Sequence, residues 1–496
     1  MTIPSLLENG ERDHPAVNTL NSAVTYRELA NQVNDLAEYL AKIGLAKRDR
    51  IAMALPNGLE VIASFLAAST VGTAAPLNPA YTRDEFKFYL EDTGARALIL
   101  PKGHSDEARA AASESKILII DSSIDDDGRV RFSSDGQLNV DGTAASNDDI
   151  ALILHTSGTT SRPKRVPLSH ANLLTSARNV ANTYQLTGQD VSLCVMPLFH
   201  VHGLVASTLA TFATGGTVVV PLKFNALSFW STVREHRASW YSAVPTIHQV
   251  LLSRAKGMRP AGAEQLRFIR SCSAALAPQV MSDLESTFGA PVLEAYGMTE
   301  AAHQMASNPL PPFERKPGSV GPGTAVEIAI LNEKGDVLPA GTVGEVSIKG
   351  GNVFRGYEGN AEANAESFSN GWFRTGDQGT LDREGYLRLV GRLKELINRG
   401  GEKISPREID ETLLRHPSVA EACCFGIPDR VYGEGVAAAV VLKEAATEKD
   451  LIAHCRASLS DFKCPTMIYI LDSIPRTATG KIQRRNVAAA IIEAKK

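Results

Sequence analysis

Residues 150–164 read IALILHTSGTTSRPK. The apolar run from Ile150 to Leu154 has the length and character of a strand buried on both faces. It passes through His155 into Thr156, Ser157, Gly158, Thr159, Thr160, Ser161 and Arg162, and closes on Pro163 and Lys164. Consecutive hydroxyls around one glycine, ended by cations, suit a loop that wraps oxyanions with N–H and O–H donors. The Walker A spacing G-x-x-x-x-G-K-[ST] is absent, so a P-loop NTPase is not the explanation. Ser and Thr also make ordinary polar turns, and the loop alone leaves that plainer reading open.

Upstream, helical and extended patterns alternate. Thr25-Tyr26-Arg27-Glu28 and Thr82-Arg83-Asp84-Glu85 are capping boxes, and Leu29, Val33, Leu36 and Leu40 follow the first at helical spacing. Residues 50–55, 95–100 and 116–121 are short apolar strands, and 122–147, rich in Asp, Ser and Gly, reads as a surface connection. Short buried strands between helices predict an α/β fold, with doubly wound sheets in a large N-terminal domain. A second α/β series covers about 149–301. Beyond it, 318–391 is dense in glycine and short strands and predicts a small β-rich subdomain. The last hundred residues form a separate small α/β pattern. In it Ser405-Pro406-Arg407-Glu408 opens a helix, 419–427 and 435–442 are strands, and 449–459 is helical. The junction falls within 391–401.

Composition removes several classes of function. The 496 residues are 44% apolar and 21% charged, as in a globular enzyme, and the net charge of −4 draws the chain to neither nucleic acid nor an anionic membrane. Six cysteines, none in a C-x-x-C pair, argue against a zinc ribbon and fit a reducing compartment. No signal-peptide pattern opens the sequence and no targeting tripeptide or prenylation box ends it, so the expected location is cytoplasmic. The two long uncharged stretches, 61–81 and 203–222, contain glycines or prolines and predict a buried helix running into a buried strand, not a membrane span.

TSGTTSRPK is followed in order by PLFH at 197–200, YGMTE at 296–300, FRTGD at 373–377, GRLKELINRGGEKISP at 391–406 and PRTATGKIQRR at 475–485. These six segments resemble the signature motifs of the adenylate-forming superfamily, which includes acyl-CoA synthetases, coumarate–CoA ligases, luciferases and peptide-synthetase adenylation domains. The resemblance implies an N-terminal domain of residues 1–393 and a mobile C-terminal domain of 394–496, with Lys394 as the hinge. It also implies ATP, Mg2+ and CoA as cofactor and co-substrates, and a small-molecule carboxylate as the group activated.

Each site residue follows from the same resemblance. Lys481 is implied as the lysine bridging the carboxylate and the α-phosphate, in chemistry where two anions meet and positive charge must gather. Glu300 is implied to hold Mg2+, a hard cation suited to carboxylate oxygen. Thr156, Ser157, Gly158, Thr159, Thr160 and Lys164 form the phosphate loop. Ser273, Ala274, Ala275, Gly297 and Thr299 contact the nucleotide, Tyr296 stacks on adenine, and Asp377 and Arg392 bind ribose. Gly400, Gly401 and Lys403 belong to the thioester-forming arrangement. Taken singly, Lys481 reads as part of a solvated basic run, Asp377 as a turn residue and Tyr296 as core. An H-x-H on a strand, His200-Val201-His202, also suits two metal ligands, but no third ligand stands at a suitable spacing. The resemblance makes His200 the histidine beside the acyl carboxylate, and leaves His202 as either a packing or an acyl-pocket residue.

The acyl pocket implied by resemblance contains His200, His202, Arg270, Ser271, Ser273 and His303, where an apolar acid would call for Gly, Ala, Phe and Leu. That suggests a very small polar acid, and the wording of 294–312 and 395–406 is similar to the oxalate–CoA ligases. A medium- or long-chain fatty-acid–CoA ligase is the alternative within the class. Carrier-protein loading, a luciferase-like oxygenase and a catalytically silent nucleotide-binding module are the remaining readings. One departure stands out: Arg165 occupies a position usually held by glycine. A positive φ there would cost on the order of 1 kcal/mol or more, and the extra cation could also sit near the phosphates.

Overall fold

The strand Ile150–His155 lies inside a seven-stranded sheet, between Thr73–Pro76, which it joins in parallel, and Arg165–Ser169, which runs antiparallel to it. The computed structural model describes residues 1–19, 22–138, 148–156, 163–477 and 480–493. The sheet order continues through Arg50–Met53, Ala95–Pro101, Leu118–Ile124 and Val130–Ser133, parallel until its last strand. Both expected capping boxes form: Thr25 and Thr82 accept from the backbone N–H of Glu28 and Glu85, opening the helices Tyr26–Lys42 and Arg83–Thr93. The first buries Leu29, Val33, Leu36 and Leu40 on one face.

The expected surface connection at 122–147 needs correction. The strand begins at Leu118, runs on to Ile124, and pairs with Val130–Ser133 in a hairpin. The turn is held by Asp125, which accepts from the backbone N–H groups of Asp127 and Arg129. Alternation in Val130–Ser133, buried then exposed, gives an edge strand its single buried face.

A second sheet has eight strands in the order His303–Ser307, Val292–Met298, Phe268–Ser271, Trp240–Ala243, Val191–Cys194, Thr217–Val219, Pro15–Asn18 and Ala23–Thr25. It is parallel in its interior and antiparallel at each end. The two long uncharged stretches fold as expected. Leu59–Val71 is a helix leading to Thr73–Pro76, and the helical run through His202–Leu209 and Ala210–Phe212 leads to Thr217–Val219. Among the described residues no helix is long and apolar enough to cross a membrane. The H-x-H segment is not a strand: His200 lies in a turn, and His202 opens a π-helical stretch that is buried throughout. No group of three metal-ligating side chains occurs among the described residues.

A third, antiparallel sheet is built from Glu327–Leu331, Gly344–Lys349, Phe368–Ser369, Trp372–Leu381 and Leu387–Arg392. The last sheet combines the long pair Val419–Asp429 and Gly433–Leu442 with Ile397–Arg399, Glu402–Ile404 and Met467–Ile470. It has its own core of Ile397, Ile409, Leu413, Val436 and Leu451, covered by the helices Pro406–Leu414 and Glu448–Arg456.

One buried carboxyl in this framework carries a pH dependence. Glu294, on Val292–Met298, is 1% exposed; one oxygen accepts from the Leu276 N–H and the other has no partner. Burial pushes its pKa from 4.5 up to about 7. The folded protein therefore holds a proton that the unfolded chain has released, and stability falls as pH rises through that window, by on the order of 3 kcal/mol from this group. Glu294→Gln keeps the acceptor and removes the charge. Its stability gain over the parent, measured by denaturant unfolding, is expected to be larger at pH 8 than at pH 5; equal gains at both would contradict the assignment.

Candidate active site

The carboxyl ends of the parallel strands converge on one cleft, the usual place for a ligand in an open α/β sheet. Ile150–His155 delivers Thr156, Val191–Cys194 leads to His200 and His202, Phe268–Ser271 leads to Ser273, and Val292–Met298 leads to Thr299 and Glu300. These residues, with Lys164, Gly297 and His303, line a cavity of about 390 Å3. Arg392, Lys394 and Lys481 close it from the other side. An adjoining cavity of about 250 Å3 shares Arg392 and Lys481, and adds Ala274, Ala275, Val244 and Asp377.

At one end, the Tyr296 hydroxyl donates to Asp377 Oδ2, and Asp377 Oδ1 pairs with Arg392 Nε at 2.9 Å. Tyr296 is 7% exposed and packs in the main core. Thr375 fixes the backbone of Asp377 through its hydroxyl at 3.1 Å. An arginine beside a carboxylate at a cavity wall offers both donors and acceptors, as vicinal hydroxyls require.

The middle of the cleft is governed by Tyr357, which the sequence motifs do not include. Its hydroxyl donates to Glu300 Oε1 at 2.8 Å, and Lys164 Nζ lies 4.5 Å from its ring centroid. Burial raises the Glu300 pKa, with the Tyr357 hydrogen bond opposing. The Thr156 N–H donates to the Lys164 carbonyl at 2.9 Å. Ser157, Gly158, Thr159 and Thr160 lie outside the described residues. Lys481 faces the open cleft; the protein around it and the neighbouring Arg392 lower its ammonium pKa, which leaves it responsive to an incoming anion.

The far end is a nest of neutral polar groups. His202 Nδ1 stands 3.0 Å from Ser273 Oγ and its Nε2 stands 2.6 Å from Ser242 Oγ. The His202 and His303 rings are 5.2 Å apart. Burial and the nearby Arg270 hold both imidazoles far below the ordinary histidine pKa, and burial alone takes His200 down to about 4. Ser273 (φ 71°) and His303 (φ 127°) both adopt the left-handed backbone region that non-glycine residues avoid. Such strain collects where a fold must aim a side chain.

Arg165 does not carry the strain that a glycine position would impose. It begins the strand Arg165–Ser169 opposite His155, in extended backbone. Its guanidinium pairs with Asp92 at 3.1 Å and Glu358 at 2.9 Å, away from the cleft. Among the described site candidates, Gly400, Gly401 and Lys403 lie off the cleft, exposed on the hairpin of Ile397–Arg399 and Glu402–Ile404, and Tyr296, Arg270 and Ser271 are buried behind its lining. Tyr357, Tyr184, Ser242 and Gln304 were not legible in the motifs, since each meets its partner in the site across 28 or more residues.

The chain matches the AMP-binding enzyme family over residues 8–358 and that family's C-terminal domain over 408–481. It is 47% identical to an oxalate–CoA ligase of Arabidopsis thaliana over 99% of both chains. It is 46% identical to an oxalate–CoA ligase of Saccharomyces cerevisiae, covering 94% of this chain and 92% of the relative. Among solved structures, ATP-bound MatB of Rhodopseudomonas palustris overlays along the full length of both chains with a TM-score of 0.90 at 29% identity. The apo form of that protein gives 0.79. Motif order, fold and identity agree: this chain belongs to the AMP-binding enzyme family.

Proposed function

We propose that this enzyme joins oxalate to CoA at the expense of ATP, in two steps within one cleft. First a carboxylate oxygen bonds to the α-phosphorus of ATP and the bond to pyrophosphate breaks, leaving an acyl-adenylate. The CoA thiol, losing its proton, then bonds to the acyl carbon and the bond to AMP breaks. Asp377 and Arg392 hold the ribose end, Thr156 and Lys164 the phosphates, and Lys481 neutralises the two anions as they meet. His200, neutral at pH 7, borders the reacting carboxylate without adding charge.

Glu300 is a fit for Mg2+. A single buried carboxylate in the cavity that Thr156 and Lys164 line suits a cation that takes one or two protein oxygens and completes its shell with phosphate and water. When bound, the ion offsets phosphate charge and favours departure of pyrophosphate. Lys481 stands in the cleft in this arrangement, which is the one that activates the acid. A swing about Lys394 would withdraw Lys481 and bring the hairpin carrying Gly400, Gly401 and Lys403 to the acyl carbon. The better overlay on the ATP-bound neighbour than on its apo form supports this assignment of the arrangement.

The observation that carries the choice of acid is the far end of the cavity, where His202, Ser273 and His303 offer polar groups in place of an apolar wall. An ionised second carboxylate taken from water without partners costs several kcal/mol, so a diacid needs such donors. Ser273→Ala or His303→Ala is expected to raise the oxalate KM at least about tenfold, as for loss of one hydrogen bond to a charged group. The ATP KM should move much less. Unchanged oxalate kinetics in both variants would remove oxalate as the acid.

A further inference from the structure

Arg270, on the strand Phe268–Ser271, is wholly buried, and its partners are uncharged. Its Nε donates to the Tyr184 hydroxyl at 2.8 Å, Nη1 to Ser242 Oγ at 2.9 Å and Nη2 to Gln304 Oε1 at 3.0 Å. Among the described residues no carboxylate pairs with it. A guanidinium without a carboxylate partner in a protein interior is costly, and an anion entering the neighbouring cavity would offset part of that cost. Arg270 itself does not line the cavity; His202, Ser273 and His303 stand between.

The direction of every hydrogen bond along this path follows from Arg270, because a guanidinium only donates. Arg270 Nη1 also faces His202 Nε2 at 3.5 Å, which favours Nε2 as an acceptor, and Ser242 Oγ, accepting from Nη1 at 2.9 Å, turns its own hydrogen to that nitrogen at 2.6 Å. With Nε2 accepting, the single proton of neutral His202 sits on Nδ1 and is donated to Ser273 Oγ at 3.0 Å. Ser273 Oγ, now an acceptor on its protein side, has its hydrogen free for the cavity. The left-handed backbone of Ser273 holds it in that place. A second, longer branch runs from Nη2 to His303 Nδ1 at 3.4 Å and puts that ring's proton on Nε2.

We propose that Arg270 is a positioning residue for the acid: through Ser242 and His202 it orders a one-way chain of donors that ends in the Ser273 hydroxyl and makes the cavity selective for an acid with a second negative charge. The inference rests on the small-diacid reading for its ligand, though the chain itself does not. A buried charge sensed through neutral relays also spares the reacting end, since Arg270 adds no donor that would compete with Lys481 for the carboxylate under attack. The groups facing His202 agree with its neutrality: Arg270, His248 and His200 all oppose a second proton on it.

Histidine nitrogen NMR of the full-length protein tests the chain directly, with the His202 signals assigned by their loss in His202→Gln. The wild type without substrate is expected to show His202 as the neutral Nδ1–H tautomer across pH 6 to 8. In Arg270→Met the tautomer should relax toward Nε2–H, and Arg270→Lys, which keeps an obligate donor, should restore Nδ1–H. Arg270→Met should also raise the oxalate KM at least about tenfold while the ATP KM shifts less than about twofold, with Arg270→Lys recovering most of the loss. A packing role alone would leave the tautomer untouched and would move both KM values together. His202 protonated on Nε2, or doubly protonated, in the wild type overturns the proposal even if Arg270→Met fails to fold. So does a folded Arg270→Met with unchanged oxalate KM. If the wild type does not use oxalate at all, the choice of acid fails, and the tautomer still decides the chain.

Discussion

Lys481→Ala is expected to lower the rate of adenylate formation by at least about 100-fold, on the scale seen when one preorganised charge-stabilising donor is removed. Supplied with synthetic acyl-adenylate and CoA, the same variant should make thioester at close to the parent rate. The asymmetry follows from geometry. Lys481 lies in the cleft shared by the two cavities, against Arg392 and within reach of Asp377, where the meeting anions need a cation. Its neighbour Gly480 approaches Val244 and Thr246 so closely that a Cβ would come within 3.3 Å of either side chain. That contact seats Gly480, and with it Lys481, against the N-terminal part of the chain, as the proposed acid-activating arrangement requires. Pyrophosphate exchange reports the first half-reaction and thioester absorbance the second. Equal loss of both would mean that the lysine serves a single fixed site.

Lys394→Pro should have the opposite phenotype. Lys394 is exposed in the short turn Leu393–Glu395, two residues after Arg392, which pairs with Asp377, and directly before Glu395, which pairs with Arg484 at 3.2 Å. The chain is therefore anchored on the N-terminal side by one arginine and on the C-terminal side by another, with Lys394 between the two anchors. A hinge there must change its backbone angles, and proline holds φ near −65° and restricts the residue before it. Pyrophosphate exchange is expected to survive while overall thioester formation falls roughly 100-fold, the cost of a small misplacement of reacting groups. Thioester formation at the parent rate would move the hinge elsewhere.

Much of the framework is legible because it is local. The capping boxes at Thr25 and Thr82 need only four consecutive residues, and the buried strands at 50–53, 95–101 and 150–155 declare themselves by unbroken apolar runs. The hairpin at Val130–Ser133 was hidden because its polar turn and exposed alternate residues look like a loop. The helix from His202 was legible as a buried helix, but its π-helical winding was not, since a fully buried run carries no periodicity to tell one helix type from another. At the site, the cavity gathers Thr156, Lys164, His200, His202, Ser273, Gly297, Thr299, Glu300, His303, Arg392, Lys394 and Lys481, all carried on recognisable segments. The residues that set their electrostatics were not legible. Tyr357 holds Glu300 from 57 positions away, and Arg270 meets Tyr184, Ser242 and Gln304 from three separate elements. No short spacing in the chain records such contacts. Arg165 shows the reverse case: an unusual residue in a motif proves to be an ordinary strand opening, paired with Asp92 and Glu358.

On the proposed function, this cleft activates a small dianionic acid through an adenylate and passes it to CoA. The most direct measurement is ATP-dependent AMP release by the full-length protein with CoA, comparing oxalate, larger dicarboxylates and octanoate at equal concentration. Oxalate is expected to give AMP and pyrophosphate in equal amounts, with a kcat/KM at least about tenfold above any other acid tested. Octanoate preferred over oxalate, or no AMP from any acid, would contradict it.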